Sequence, residues 1–74
     1  MKLLIKYMEY QFDWNGVTIV RSTEQGNCYY FLDKFGDKVI VNIKLYNNIH
    51  TALRDLKLKI IFYIKNGWVI PESY

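Results

Sequence analysis

The sequence predicts an α+β domain: a four-stranded antiparallel sheet, made of two hairpins, packed by one C-terminal α-helix in the order ββββα. Three observations predict it. Apolar and polar residues alternate on both sides of Asn15-Gly16, two apolar runs flank Lys34-Phe35-Gly36-Asp37, and Asn48 to Gly67 carries a helical period. The 74 residues form one domain, 1–74. A chain of this length buries only about 60–65% of its unfolded surface, near the lower limit for independent folding. Its composition offsets that handicap: 51% of residues are hydrophobic and 18% aromatic, which excludes a disordered segment or a linker.

The first strand is expected over residues 2–13, with a short helical turn over Leu3 to Met8 as the rival reading of its upstream part. Tyr10, Phe12 and Trp14 share one face, and Glu9, Gln11 and Asp13 the other; upstream, Leu3, Ile5 and Tyr7 fall on that second face. Asn15-Gly16 tolerates the positive φ that a two-residue type I′ turn demands. Such a turn sets Trp14 opposite Val17, Phe12 opposite Ile19 and Tyr10 opposite Arg21. Glu24-Gln25-Gly26-Asn27 reads as a loop. Cys28 to Asp33 is a third strand and Lys38 to Lys44 a fourth. A four-residue turn between them pairs Leu32 with Val39, Tyr30 with Val41 and Cys28 with Ile43, all on the core face. Tyr29, Phe31, Ile40 and Asn42 then face outward.

In the helix, Ile49, Ala52, Leu53, Leu56, Ile60, Tyr63 and Ile64 follow at three- and four-residue steps and form one stripe. Asn47 or Asn48 suits the N-cap, and Lys65 suits the negative end of the dipole. Asn66-Gly67 offers a left-handed stop that brings Trp68 onto Tyr63 in a Schellman motif. Pro71 keeps the tail from continuing as helix.

Little in the chain points to catalysis. The single cysteine, Cys28, allows no internal disulfide and falls on the core face, which favours an inert thiol in a reducing compartment. His50 is the only histidine and reads as a solvated or interface residue; with one His and one Cys there is no zinc set. Asp33 and Asp37 lack the ligand count of a calcium loop. No glycine pattern cradles phosphate, so neither catalytic nor cofactor-binding residues are assigned. Lys6 interrupts the only leader-like run, and no segment reaches the ~20 apolar residues that span a bilayer, so the expectation is a cytoplasmic protein without membrane association.

What the sequence does offer is surplus apolar surface. Leu58, Ile61 and Phe62 project from the helix away from its stripe, and Tyr29, Phe31 and Ile40 are expected on the outer sheet face. Large apolar patches on a small chain mark interfaces. Either the tail, with Trp68, Val69 and Ile70, folds back over Leu58 and Phe62 while the N-terminal segment crosses the outer sheet face, or, as the favoured reading, these six residues are the self-association and partner-binding positions, one surface for a homodimer and the other for a second protein.

Nucleic acid is the competing reading. Net charge is +3, and Tyr29 and Phe31 on an exposed strand could stack bases beside Arg21, Lys38 and Lys44. Eight of the ten cations are lysines, whereas guanine and phosphate readers favour arginine. Over Val17 to Ile60, the run Tyr29-Tyr30-Phe31-Leu32-Asp33-Lys34-Phe35-Gly36, followed by a strand and a helix, resembles the small DNA-binding domains of transposon integrases and AP2-type factors. That resemblance implies a basic sheet face reading the major groove, where this chain has an apolar one. A short chain rich in Lys, Ile, Asn and Tyr also resembles the accessory proteins of phages and mobile elements, which implies a stoichiometric inhibitor or regulator of the anti-defence or anti-CRISPR type. The sequence-based expectation is thus a non-enzymatic, homodimeric protein-binding module.

Overall fold

The computed structural model describes residues 9–23 and 27–72. Its elements are β1 (Glu9–Trp14), β2 (Val17–Ser22), β3 (Cys28–Leu32), β4 (Lys38–Asn42), a 3₁₀ turn at Ile43–Leu45 and α1 (Ile49–Lys65). The strands lie in the order β1-β2-β3-β4, each antiparallel to its neighbour, with α1 packed over β3 and β4. This is the expected ββββα plan. The strand expected over residues 2–8, with Leu3, Ile5 and Tyr7, and the loop residues 24–26 lie outside the described residues.

The first hairpin has the register that its turn dictates. Asn15 and Gly16 both hold positive φ, 54° and 80°, and Trp14 pairs with Val17, Phe12 with Ile19 and Tyr10 with Arg21.

The second hairpin departs from expectation by one residue. Its loop is three residues long, not four. The Asp33 amide donates to the Asp37 carbonyl at 2.9 Å and the Gly36 amide to the Asp33 carbonyl at 3.0 Å, while Gly36 takes φ 86°. The Asp33 carboxylate also accepts from the amides of Phe35 (2.8 Å) and Asp37 (2.9 Å), which fixes the tight form. Phe31 therefore pairs with Val39, Tyr29 with Val41 and Tyr30 with Ile40. A one-residue slip turns a whole strand over. Tyr29 and Phe31, expected outside, are buried at 5% and 0% exposure; Tyr30 and Leu32, expected inside, are on the outer face. Ile40 stays outside, as expected.

β4 also ends early. The Asn42 side chain accepts from the Lys44 amide at 2.9 Å and caps the 3₁₀ turn, so the chain turns away from the sheet once the Ile43 amide has donated the last bond to Asn27. The core contains Val17, Ile19, Tyr29, Phe31 and Val41 from the sheet and Ala52, Leu56 and Ile60 from the helix. The Phe31 ring meets Tyr63 edge-on at 5.4 Å.

Both ends of α1 match their signals. Asn48 is the N-cap, its side chain accepting from the Thr51 amide at 2.9 Å. At the other end Gly67 has φ 73°, its amide donates to Ile64, and the Trp68 amide donates to Tyr63 at 2.9 Å; this is the Schellman pattern. The chain then turns to the sheet. The Lys34 amide donates to the Trp68 carbonyl at 2.8 Å, Val69 enters the core, and the Glu72 amide donates to the Gly16 carbonyl at 2.9 Å. The tail thus ties α1 to both hairpin turns.

Truncating Phe31 to Ala should cost about 3–5 kcal/mol, as for a fully buried aromatic, whereas Leu32→Ala should change stability by no more than about 0.5–1 kcal/mol. Urea unfolding of the two variants checks the register, since a four-residue turn would reverse their order.

Candidate interaction surfaces

At 100° per residue, Leu58 and Phe62 stand opposite the buried stripe of α1, with Ile61 beside them. Their exposures are 59%, 55% and 41%. The Schellman turn adds Trp68, whose ring packs edge-on against Phe62 at 5.9 Å and Tyr63 at 5.2 Å while staying 41% exposed. The tail therefore touches the rim of this patch without covering it. Arg54 and Lys65 are exposed on the same side. Helix α1 carries four cations (Arg54, Lys57, Lys59, Lys65) against one carboxylate, Asp55; Lys57 lies over Trp14 and Lys59 beside Asp55, which leaves Arg54 and Lys65 as the cations next to the patch.

Asp55 is occupied locally. It accepts the Tyr46 hydroxyl at 2.5 Å and lies 4.0 Å from Lys59. The hydroxyl bond joins the link after β4 to the side of α1. It raises the Tyr46 pKa above its usual value: the bond to Asp55 contributes most, then burial, then the carboxylate charge.

The outer sheet face is the second surface. Tyr30, Leu32 and Ile40 form an apolar strip there, with the Lys38 ammonium 4.6 Å from the Tyr30 ring centre. Where the tail passes this face, a groove of about 550 Å³ opens between Gln11, Val20, Tyr30 and Leu32 on one side and Val69, Ile70 and Glu72 on the other.

Of the six expected partner residues, Ile40, Leu58, Ile61 and Phe62 are exposed; Tyr29 and Phe31 belong to the core and are withdrawn from the site. The expected nucleic-acid set is not brought together. The Arg21 guanidinium lies 5.5 Å from the Tyr29 ring and donates to Asn27 at 3.1 Å, Phe31 is enclosed, Lys38 is on the opposite face, and Lys44 sits on the 3₁₀ turn. The two rings that were to stack bases cannot reach them. Tyr30 and Leu32 were missed as surface residues. The signal that could have found them is Asp33 with Gly36, spaced for a three-residue loop ending in a left-handed glycine.

Among the described residues no group of three His, Cys, Asp or Glu stands close enough to hold a metal ion, and no helix is long and apolar enough to cross a membrane. Comparison of the chain with family models, with characterised proteins and with solved structures returns no match.

The Tyr46–Asp55 bond makes a pH prediction. A raised folded-state pKa stabilises below the unfolded value, 10.0 for tyrosine, and that stabilisation is lost as pH climbs through the folded value. Tyr46→Phe should lower stability by about 0.5–1 kcal/mol near neutrality, and the gap from the parent protein should shrink above pH ~10. Urea midpoints of both proteins across that range measure it.

Proposed function

We propose that this chain is a non-enzymatic protein-binding module that engages its partner through the outward face of α1. The observation that carries this reading is the patch of Leu58, Ile61, Phe62 and Trp68, which stays open although the tail starts beside it. Apolar anchors with Arg54 and Lys65 beside them fit a partner surface that is apolar at its centre and carries acidic groups at its rim. Self-association through a separate surface belongs to the same reading, because a domain this small gains stability from a second copy.

The mode of action we propose is stoichiometric: an inhibitor or regulator of the kind that phages and mobile elements carry. Its support is the lysine- and tyrosine-rich composition together with the apolar patch of Leu58, Ile61 and Phe62 left open on α1. The nucleic-acid reading is weaker for a specific reason, since Tyr29 and Phe31 face the helix.

Leu58→Asp and Phe62→Asp should each weaken partner binding by at least about 2 kcal/mol, the scale of an interface anchor, while circular dichroism and urea midpoints stay near those of the parent. Affinity capture with cross-linking would read this directly. Cross-links confined to the sheet face, or capture unchanged by both variants, would remove the proposal.

A further inference from the structure

The two edges of the sheet differ in chemistry, and hydrogen-bond parity shows which groups each displays. At the ends of the β3–β4 ladder the Asp33 amide donates to Asp37 at 2.9 Å and the Ile43 amide to Asn27 at 3.0 Å. Bonded and non-bonded pairs alternate in an antiparallel ladder. Phe31/Val39 and Tyr29/Val41 are therefore bonded pairs, and the amides and carbonyls of Lys38, Ile40 and Asn42 point away from β3. No described strand lies beyond β4. On the far edge, a two-residue turn closes on the bonded pair Trp14/Val17, so β1 displays Glu9, Gln11 and Asp13.

Antiparallel self-pairing has opposite consequences at the two edges. About Gln11 it sets Glu9 of one copy against Asp13 of the other, a like-charge contact of the kind that blunts edge strands. About Ile40 it sets Ile40 against Ile40 and Lys38 against Asn42, with no charge conflict. The half-exposed Ile40 side chains then meet beside Tyr30 and Leu32 on the outer face.

The helix layer gives the second argument. The Lys57 ammonium lies over the Trp14 ring of β1 at 5.3 Å, while Asp55 bonds Tyr46 just after β4, so the Asp55–Lys59 flank of α1 faces the β4 edge. Strands stand about 4.8 Å apart. With α1 over β3 and β4, a second copy joined at β4 would bring its helix antiparallel to this one at about 10 Å, a normal packing distance. Asp55 of one copy could then face Lys59 of the other. Joining at β1 brings no helix to the seam.

We infer that the outer edge of β4, which no described strand covers, is a self-association seam, at which a second copy adds its own β4 antiparallel, centred on Ile40, to give one eight-stranded sheet with two adjoining helices. This rests on the self-association part of the function proposed above and leaves the outward face of α1 to the partner. Sedimentation of the whole chain over a range of concentrations should give a closed dimer. Ile40→Lys, which sets two ammonium groups together, should weaken it by at least about tenfold. Ile40→Pro should do the same without unfolding the monomer, because that amide bonds no described strand and edge positions accept proline. In the parent protein the Lys38, Ile40 and Asn42 amides should resist hydrogen exchange when concentrated and exchange on dilution. Leu58→Asp should leave the dimer intact, so loss of partner binding in that variant and loss of dimer in the Ile40 variants report on different surfaces. A monomer at every concentration, growth beyond two copies, a dimer equally tight in both folded Ile40 variants, or unprotected β4 amides in the dimer would each overturn the inference.

Discussion

The architecture depends on the length of one turn. Between β3 and β4 the choice of three loop residues over four decides which side of an almost wholly apolar strand meets the helix. Asp33 makes the choice, accepting two amides with its carboxylate, while Gly36 supplies the left-handed residue that closes the loop. Everything packed on the sheet follows from it. Phe31 comes under Tyr63, Tyr29 comes beside Phe12 and Arg21, and α1 has a flat apolar floor to lie on.

This also explains which parts of the fold were legible in the sequence. In the first hairpin the turn residues and the alternation gave the same answer independently, and all six pairs agree with it. The helix was legible because its stripe, its Asn48 cap and its Gly67 stop all agree. β3 offered no such redundancy. In Tyr29-Tyr30-Phe31-Leu32 either parity is apolar, so hydrophobic pattern cannot vote, and the register rests on loop geometry alone. The same ambiguity carried into the site: Leu58, Ile61, Phe62 and Ile40 were placed correctly because their neighbours constrained them, whereas Tyr29 and Phe31 inherited the register error.

The path of the tail was not legible either, and for another reason. Trp68 was expected to close the helix on Tyr63, which it does. Its carbonyl then accepts the Lys34 amide, a contact between distant parts of the chain that no local pattern encodes. That bond steers Val69 into the core and leads the backbone on to Gly16. Val69 is thereby used to seal the end of the sheet that carries the two turns, while Ile70 stays exposed. On the outward side of α1 only Trp68 touches Phe62, and Leu58 and Phe62 remain open.

A sheet with a helix on one face must answer for its other face and its two edges. Here the answers are uneven. The β1 edge is guarded by Glu9 and Asp13, and a strand so charged discourages a like neighbour. The β4 edge has one lysine at its end and isoleucine at its centre, and the helix above leans to that side. In so small a domain, with Phe31, Ile19, Leu56 and Ile60 as its largest fully buried side chains, apolar groups left at an edge are a substantial share of what could still be buried. The asymmetry gives the molecule a direction: one edge carries Glu9 and Asp13, the other Ile40, and Leu58 and Phe62 stay exposed on the outward side of α1, which is why the proposals above give the β4 edge to a second copy and the helix to a different protein.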